Sequence, residues 1–415
     1  MIELTDRQRT AANGEDGGGT ALAMHIVTET ARLLGAKRLI PVASAHIDGC
    51  LYHGDSGVQF AERLVAGGAE VAVPTTLNVG ALNLLRPGQD RLDSHKRAMA
   101  HRLMAAYEAM GCRPSWTCAP YQTGHRPALG QDVAWGESNA VAFANSVLGA
   151  RTNRYGDFLD IACAIAGLAP ATGLHLPENR RATVRIETAL LSDRLKASDA
   201  FYPVLGAWLG RTVGETVAVL DGLPSSLTED RLKAVGAAAA AAGAVGLVHV
   251  AGVTPEAPTV DAALGHRRSE EAIRLTPDML IAERDRLSTA GGDRIDAVAL
   301  GSPHFSLSEF DGFERALGDR SVTVPTYICT ARDTLASLGP RAMRLESQGV
   351  TMVVDTCVVV TPILAEIDGV LMTNSGKFAH YTPSNTGYAV LFGSLKDCVE
   401  TAVAGHAIRD DALWR

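Results

Sequence analysis

Short apolar runs separated by longer amphipathic stretches recur along the whole chain, and this alternation limits the fold more than any single motif does. Residues 38–44 (RLIPVAS), 70–74 (EVAVP), 246–251 (GLVHVA), 297–301 (AVALG), 322–329 and 351–359 read as buried strands. Residues 20–34, 95–110, 139–148, 230–242 and 307–317 carry helical periodicity between them. Strands covered on both faces by crossover helices are apolar almost throughout, so the pattern predicts an α/β architecture with mostly parallel sheets. Parallel sheets present their chemistry at the carboxyl ends of strands. That rule directs attention to SAHIDGC (44–50), TTLNVG (75–80), SPHFS (302–306) and CTAR (329–332).

A chain of 415 residues exceeds the usual size of one core, so two or three packed lobes are expected. Turn signals over 190–230 suggest a division into residues 1–200 and 201–415. The alanine run at 237–242 reads as the inside of a packed helix ending at Gly243. A formal net charge of -8 offers no basic face for nucleic acid. Seven cysteines, an odd number without regular spacing, point to a reducing, cytoplasmic compartment and away from a disulfide scaffold. The N-terminal stretch is polar and unlike a secretory signal, and the longest apolar runs are broken by Asp, Thr, Pro and Glu, so no membrane span is expected.

Three stretches concentrate reactive side chains. WGESNAVAFANSVLGARTNRYGD (135–157) gathers Glu137, Ser138, Asn139, Arg151, Asn153 and Arg154 around a short apolar helix. Guanidinium groups there suit a carboxylate or phosphate, although a capped helix followed by a polar turn accounts for the same residues. NSGKFAHYTP (374–383) places Lys377, His380 and Tyr381 after a Ser-Gly turn, as an anion cradle or as a surface loop. In GSPHFSLSEF, His304 either acts on a substrate or supports the turn before a helix capped by Ser306 and Glu309. Cys163, Cys398 and Cys112 read as packing residues. Cys118 (TCAP), Cys329 (ICTAR) and Cys357 (DTCVVV) each end an apolar run beside polar residues, which makes a shared soft-metal site credible.

The stretches TCAPY, GESNAVAFANSVLGARTNR, DTCVVV and SGKFAHY resemble the catalytic subunit or domain of aconitase X, a branch of the aconitase superfamily, and the similarity extends over about residues 1–400. The resemblance implies an aconitase-like, multi-lobed fold and a dehydratase holding an iron-sulfur cluster through three cysteines. It implies removal of water from cis-3-hydroxy-L-proline, the alternative being mevalonate 5-phosphate. Carried over by residue, Cys118 and Cys357 become cluster ligands. Many relatives carry cysteine where this chain has Ser302, so the third ligand is expected to be Cys329, with Cys50 in reserve. That departure favours a [2Fe-2S] cluster over [3Fe-4S] or [4Fe-4S]; it also leaves open a cluster-free binding relative. No part of the sequence resembles the small swivelling domain that completes aconitase sites, so a separate small subunit is expected to supply it.

Removal of water from a small hydroxy acid also needs anchors and a proton carrier. Arg151, Arg154 and Lys377 are expected to anchor the substrate carboxylate, since a fixed cation also lowers the cost of charge growing on the adjacent carbon. Ser44, His46, Asn78, Tyr121, Glu137, Ser138, Asn139 and Asn153 join the substrate-facing set, and His304, His380 and Tyr381 are the proton-transfer candidates on this chain.

Overall fold

The computed structural model describes residues 2–414 and contains three successive βα units. In the first, Thr75–Leu77, Ala45–Ile47 and Ala134–Trp135 form a small parallel sheet with Ala45–Ile47 in the middle. An antiparallel pair, Leu39–Pro41 with Leu168–Pro170, lies beside it. The helices Gly18–Leu33, Asp55–Ala66, Ser94–Ala109 and Leu159–Ala166 pack on this unit and share one apolar cluster.

The second unit is a four-stranded parallel sheet in the order Val248–Val250, Ala218–Asp221, Val184–Glu187, Glu271–Arg274. Its sheet runs from residue 184 to 274, so a division between residues 200 and 201 falls inside it, just ahead of the helix Phe201–Val213. That helix packs against Glu229–Gly243, the alanine-rich helix. Small residues are required at this crossing, because a Cβ on Gly243 would lie 1.7 Å from the Gly210 carbonyl oxygen.

The third unit is a five-stranded parallel sheet, Val350–Val353, Thr326–Thr330, Ala297–Phe305, Val370–Thr373, Ala389–Phe392. In chain order this is 3-2-1-4-5, and such sheets bind ligands in the crevice where the order reverses. Here that crevice lies between Ala297–Phe305 and Val370–Thr373, at Ser302 and at the start of the helix Gly376–Thr386.

Several sequence expectations shift locally. Residues 70–74 form no strand; the strand begins at Thr75. Residues 351–359 keep β structure only to Val353, and the remainder turns to present Cys357. Residues 374–383, read as an anion cradle or a surface loop after a Ser-Gly turn, begin a helix capped by Ser375, whose Oγ accepts from the Phe378 amide. Residues 139–148 divide into the α-helix Ser138–Phe143 and a π-helical turn, Ala144–Leu148. No helix among the described residues is long and apolar enough to cross a membrane.

Candidate active site

Register explains how the first sheet assembles polar groups. Ala45, His46 and Ile47 pair in parallel with Thr75, Thr76 and Leu77, and Ala45 and His46 pair with Ala134 and Trp135. Continued past the carboxyl ends, the same register brings Asp48, Asn78 and Glu137 to one level. The Asn78 amide donates to Asp48, and the Asp48 backbone N–H donates to Asp160 at 2.6 Å. Lys377, just past the crevice of the third sheet, reaches across to form an ion pair with Glu137. Burial raises the Asp48 carboxyl to about 7, with the Glu137 carboxylate adding to the effect and Lys377 opposing it. Burial alone would lower the Lys377 ammonium, but Glu137 outweighs it and holds the ammonium above its ordinary value. Beside this floor, Ser44 Oγ, His46 Nε2 and Asn78 Oδ1 are buried without hydrogen-bond partners.

The three expected cluster ligands, far apart in sequence, lie within electrostatic reach of one another. Cys118 and Cys357 are 7% and 8% exposed, whereas Cys329 is fully enclosed. Burial raises all three thiols, Cys118 to about 12. Cys118 and Cys329 each feel the charge of Cys357, and Cys329 also that of Cys118. Lys377 and backbone amides of His304, Val358, Val359 and Val360 act on these sulfurs in the opposite direction. Among the described residues no three His, Cys, Asp or Glu side chains converge closely enough for a single metal ion. Three near-buried thiols in mutual electrostatic reach, faced by N–H donors and one ammonium, instead suit a polynuclear centre that stabilises them as thiolates. The residues therefore fit an iron-sulfur cluster. Cys50 stands elsewhere: its Sγ faces the carbonyls of Ile47 and Asn78, and the charges that act on it are those of Asp48, Asp160 and Cys112. Ser302 lines a cavity of about 350 Å³ together with Asn374 and Lys377.

His304 lies fully buried between the cysteine segments, with Nδ1 3.0 Å from Thr117 Oγ1 and Nε2 3.3 Å from the Thr356 carbonyl. Its backbone N–H donates to Cys118 Sγ at 3.3 Å. Asn139 supports the same segment by donating to the Cys118 carbonyl at 2.9 Å and to Tyr121 Oη at 3.0 Å; Tyr121 stacks on Phe143. Ser138 donates to Glu137, which caps its helix by accepting from the Ala140 amide at 2.6 Å. On the other side, Asp355 adopts a left-handed conformation (φ 65°) two residues before Cys357. Arg332 grips its carboxylate, Leu84 N–H donates to it, and its carbonyl accepts from Gly80.

Other expected residues do not join this constellation. The Arg151 backbone bridges in parallel to that of Asp132, just before Ala134–Trp135 and so toward the amino end of the strand whose carboxyl end leads to Glu137. Arg154 is exposed and donates to the Ala240 carbonyl, and Asn153 fastens the turn at Thr172 and Leu174. None of these contacts places either arginine beside Lys377 or the cysteines, and the Arg151 Nε is buried without a hydrogen-bond partner. The specific ANSVLGARTNR block instead builds a joint: Asn145 bonds Thr152, the Gly246 carbonyl and Arg180, whose guanidinium pairs with Glu256. His380 is exposed, and the nearest charge acting on it is Arg211, away from the cysteines. Tyr381 stays beside Lys377, one helical turn on. Asp48, Thr117, Thr356 and the Arg332–Asp355 pair were not singled out from sequence. For Asp48 the signal existed, since it follows a strand end in SAHIDGC.

Comparison with known proteins identifies the family to which this fold belongs. The chain matches the family domains described as Aconitase X first domain over residues 1–178, second domain over 182–285 and third domain over 295–404. It is 42% identical over 408 residues to the cis-3-hydroxy-L-proline dehydratase of Pseudomonas aeruginosa, covering 97% of this chain and 70% of that protein. It is 37% identical over 401 residues to the phosphomevalonate dehydratase large subunit of Methanothermobacter thermautotrophicus, covering 94% and 96%. The crystal structure of Thermococcus kodakaraensis aconitase X (holo-form) superposes with a TM-score of 0.86 at 33% identity, over 97% of this chain and all of that one. The chain belongs to the aconitase X family and, with these relatives, is a hydro-lyase.

Proposed function

We propose that the chain dehydrates cis-3-hydroxy-L-proline to a pyrroline-2-carboxylate, using an iron-sulfur cluster held by Cys118, Cys357 and Cys329. The observation that carries the substrate choice is graded similarity. Identity to two cis-3-hydroxy-L-proline dehydratases is 42% and 38%, against 31–37% for five phosphomevalonate dehydratase large subunits. Serine at 302 supports Cys329 as third ligand and a [2Fe-2S] centre.

The substrate is a zwitterion, and the site floor is built as a matching ion pair. Lys377 takes the carboxylate and lowers the cost of charge growing on the adjacent carbon. Glu137, released from Lys377, takes the ring ammonium. Asp48, raised to about 7, is the group on this chain fitted to accept the C2 proton, because its ionised form is accessible near neutral pH while remaining basic enough. Asn78 orients it. The electron pair of the C2–H bond then forms the C2=C3 bond as the bond from C3 to its hydroxyl breaks, and the departing hydroxyl takes up the proton that Asp48 removed from C2 and leaves as water. A bound cluster supplies Lewis acidity toward the leaving hydroxyl. A small swivelling module covers the cleft and excludes water; the large-subunit names of the archaeal relatives support its being a separate polypeptide. Seven unpaired thiols fit a reducing, cytoplasmic setting.

One feature favours the second reading. First-turn residues of the helices Glu229–Gly243, Leu307–Leu317 and Gly376–Thr386 line the cavity beside Lys377, and Arg315 and Arg231 on its wall, set among Asp199, Asp230 and Glu309, are the groups there that would meet a phosphate. Assaying the anaerobically reconstituted chain, with and without its small module, on both substrates decides. Turnover of mevalonate 5-phosphate alone would overturn the hydroxyproline assignment.

A further inference from the structure

His304 occupies a position that the dehydration itself does not explain. A backbone carbonyl can only accept, so the contact with Thr356 O requires the proton on Nε2. Nδ1 then carries a lone pair, and the Thr117 hydroxyl must donate to it. Thr117 Oγ1 in turn accepts from the Ala119 amide. This fixes one tautomer and leaves neither ring nitrogen free for a substrate. Thr117 immediately precedes Cys118, and Thr356 immediately precedes Cys357. Thr356 is itself tied through Thr361 to the Ala81 carbonyl of the first unit. The strand that carries His304 also lies against Thr326–Thr330, which bears Cys329, so closely that a Cβ on Gly301 would sit 2.1 Å from the Cys329 carbonyl oxygen.

We propose that His304 is a single-tautomer strut that spaces the Cys118 and Cys357 segments, a positioning residue and not a proton carrier of the reaction. The spacing follows from hydrogen bonds in this chain; its consequence for metal rests on the cluster reading above. Glutamine at 304 offers one acceptor and one donor with no ionisable ring, so it substitutes for the strut but not for an acid or base.

The test compares wild type, His304→Gln and His304→Ala. In apo-protein, dibromobimane fluoresces only when it bridges two thiols, and peptide mapping identifies the Cys118–Cys357 product. Bridging is expected in wild type and His304→Gln and about tenfold slower in His304→Ala, as lost orientation slows a proximity-dependent reaction. Iron binding after anaerobic reconstitution should weaken by about 10- to 100-fold in His304→Ala, the effect of removing a group that orients metal ligands. His304→Gln should retain both iron and the wild-type pH profile of kcat. Unchanged bridging and iron in His304→Ala, or loss of one limb of the pH profile in a well-loaded His304→Gln, would overturn the proposal. Should His304→Ala not fold, His304→Gln decides alone through its pH profile and bridging rate. Should wild type bind no iron, the cluster reading fails, while the bridging rates still judge the strut.

Discussion

Replacing Lys377 by methionine removes the cation of the pair with Glu137 while keeping an apolar stem of similar length. The two side chains are 14% and 3% exposed, so neither solvent nor salt screens the contact well. At close approach in a setting of effective dielectric near 20, the attraction is about 4 kcal/mol. Deleting one partner strands the other, which costs about 3–5 kcal/mol for buried pairs. Lys377→Met and Glu137→Gln should therefore each lower unfolding free energy by a few kcal/mol. Glutamine can still accept from the Ala140 amide, so Glu137→Gln should cost less than Lys377→Met. The double replacement strands no charge and should return to within about 1–2 kcal/mol of wild type, because a buried pair is worth little net of desolvation. Urea unfolding followed by circular dichroism and tryptophan fluorescence measures all four proteins. Turnover should stay at least about 100-fold down in the double variant despite recovered stability, since the substrate anchors are gone. Costs that simply add, with no coupling, would refute the ion-pair argument; a stable, active double variant would refute its catalytic role.

Further outcomes at Asp48, Gly301 and Asp355 follow from the same geometry. Asp48→Asn should reduce turnover by about 10²–10⁴-fold, the usual worth of a general base. In wild type kcat/KM should fall as pH drops through about 7, because burial and Glu137 raise the Asp48 carboxyl and its ionised form is the active one; a pH profile flat across 6–8 would contradict this. The raised folded value means Asp48 favours the fold at low pH and loses that contribution as pH rises through about 7, so Asp48→Asn should not destabilise at pH 8. Gly301→Ala should destabilise by several kcal/mol or prevent folding, since φ is +90° and the new Cβ would meet the Cys329 carbonyl. Asp355→Asn keeps a residue that tolerates φ 65° but loses the Arg332 pair; it should cost about 2–3 kcal/mol and weaken iron retention, whereas Asp355→Ala should cost more.

The fold class was legible because strands buried on both faces must be apolar, and strand ends in parallel sheets must carry the polar groups. Cys118, Cys357 and Asn78 were singled out at the ends of apolar runs in this way, whereas Glu137 and Lys377 came from polar stretches around a helix and a Ser-Gly turn. What sequence could not show was direction. Arg151 and Arg154 follow a helix rich in amides, yet the Arg151 backbone bridges to the segment just before the strand Ala134–Trp135 and Arg154 is exposed; only register decides which end of a strand a residue lies beside. His304 read as an acid or base because histidine titrates near neutrality. Burial holds it down to about 4, with Lys233 and Lys377 adding to the effect and the bond to the Thr356 carbonyl opposing it. Helix Gly376–Thr386 was missed because Ser375-Gly376 resembles a turn, while the Ser375 side chain in fact caps the helix.

The account depends on three distant thiols holding one inorganic centre. Iron and acid-labile sulfide per chain, with the visible spectrum, should be measured after anaerobic reconstitution of wild type beside Cys118→Ala, Cys329→Ala, Cys357→Ala and Cys163→Ala. Wild type and Cys163→Ala are predicted to bind iron and absorb in the visible, and the other three to lose both. Full iron in Cys118→Ala or Cys357→Ala, or none in wild type, would contradict the account.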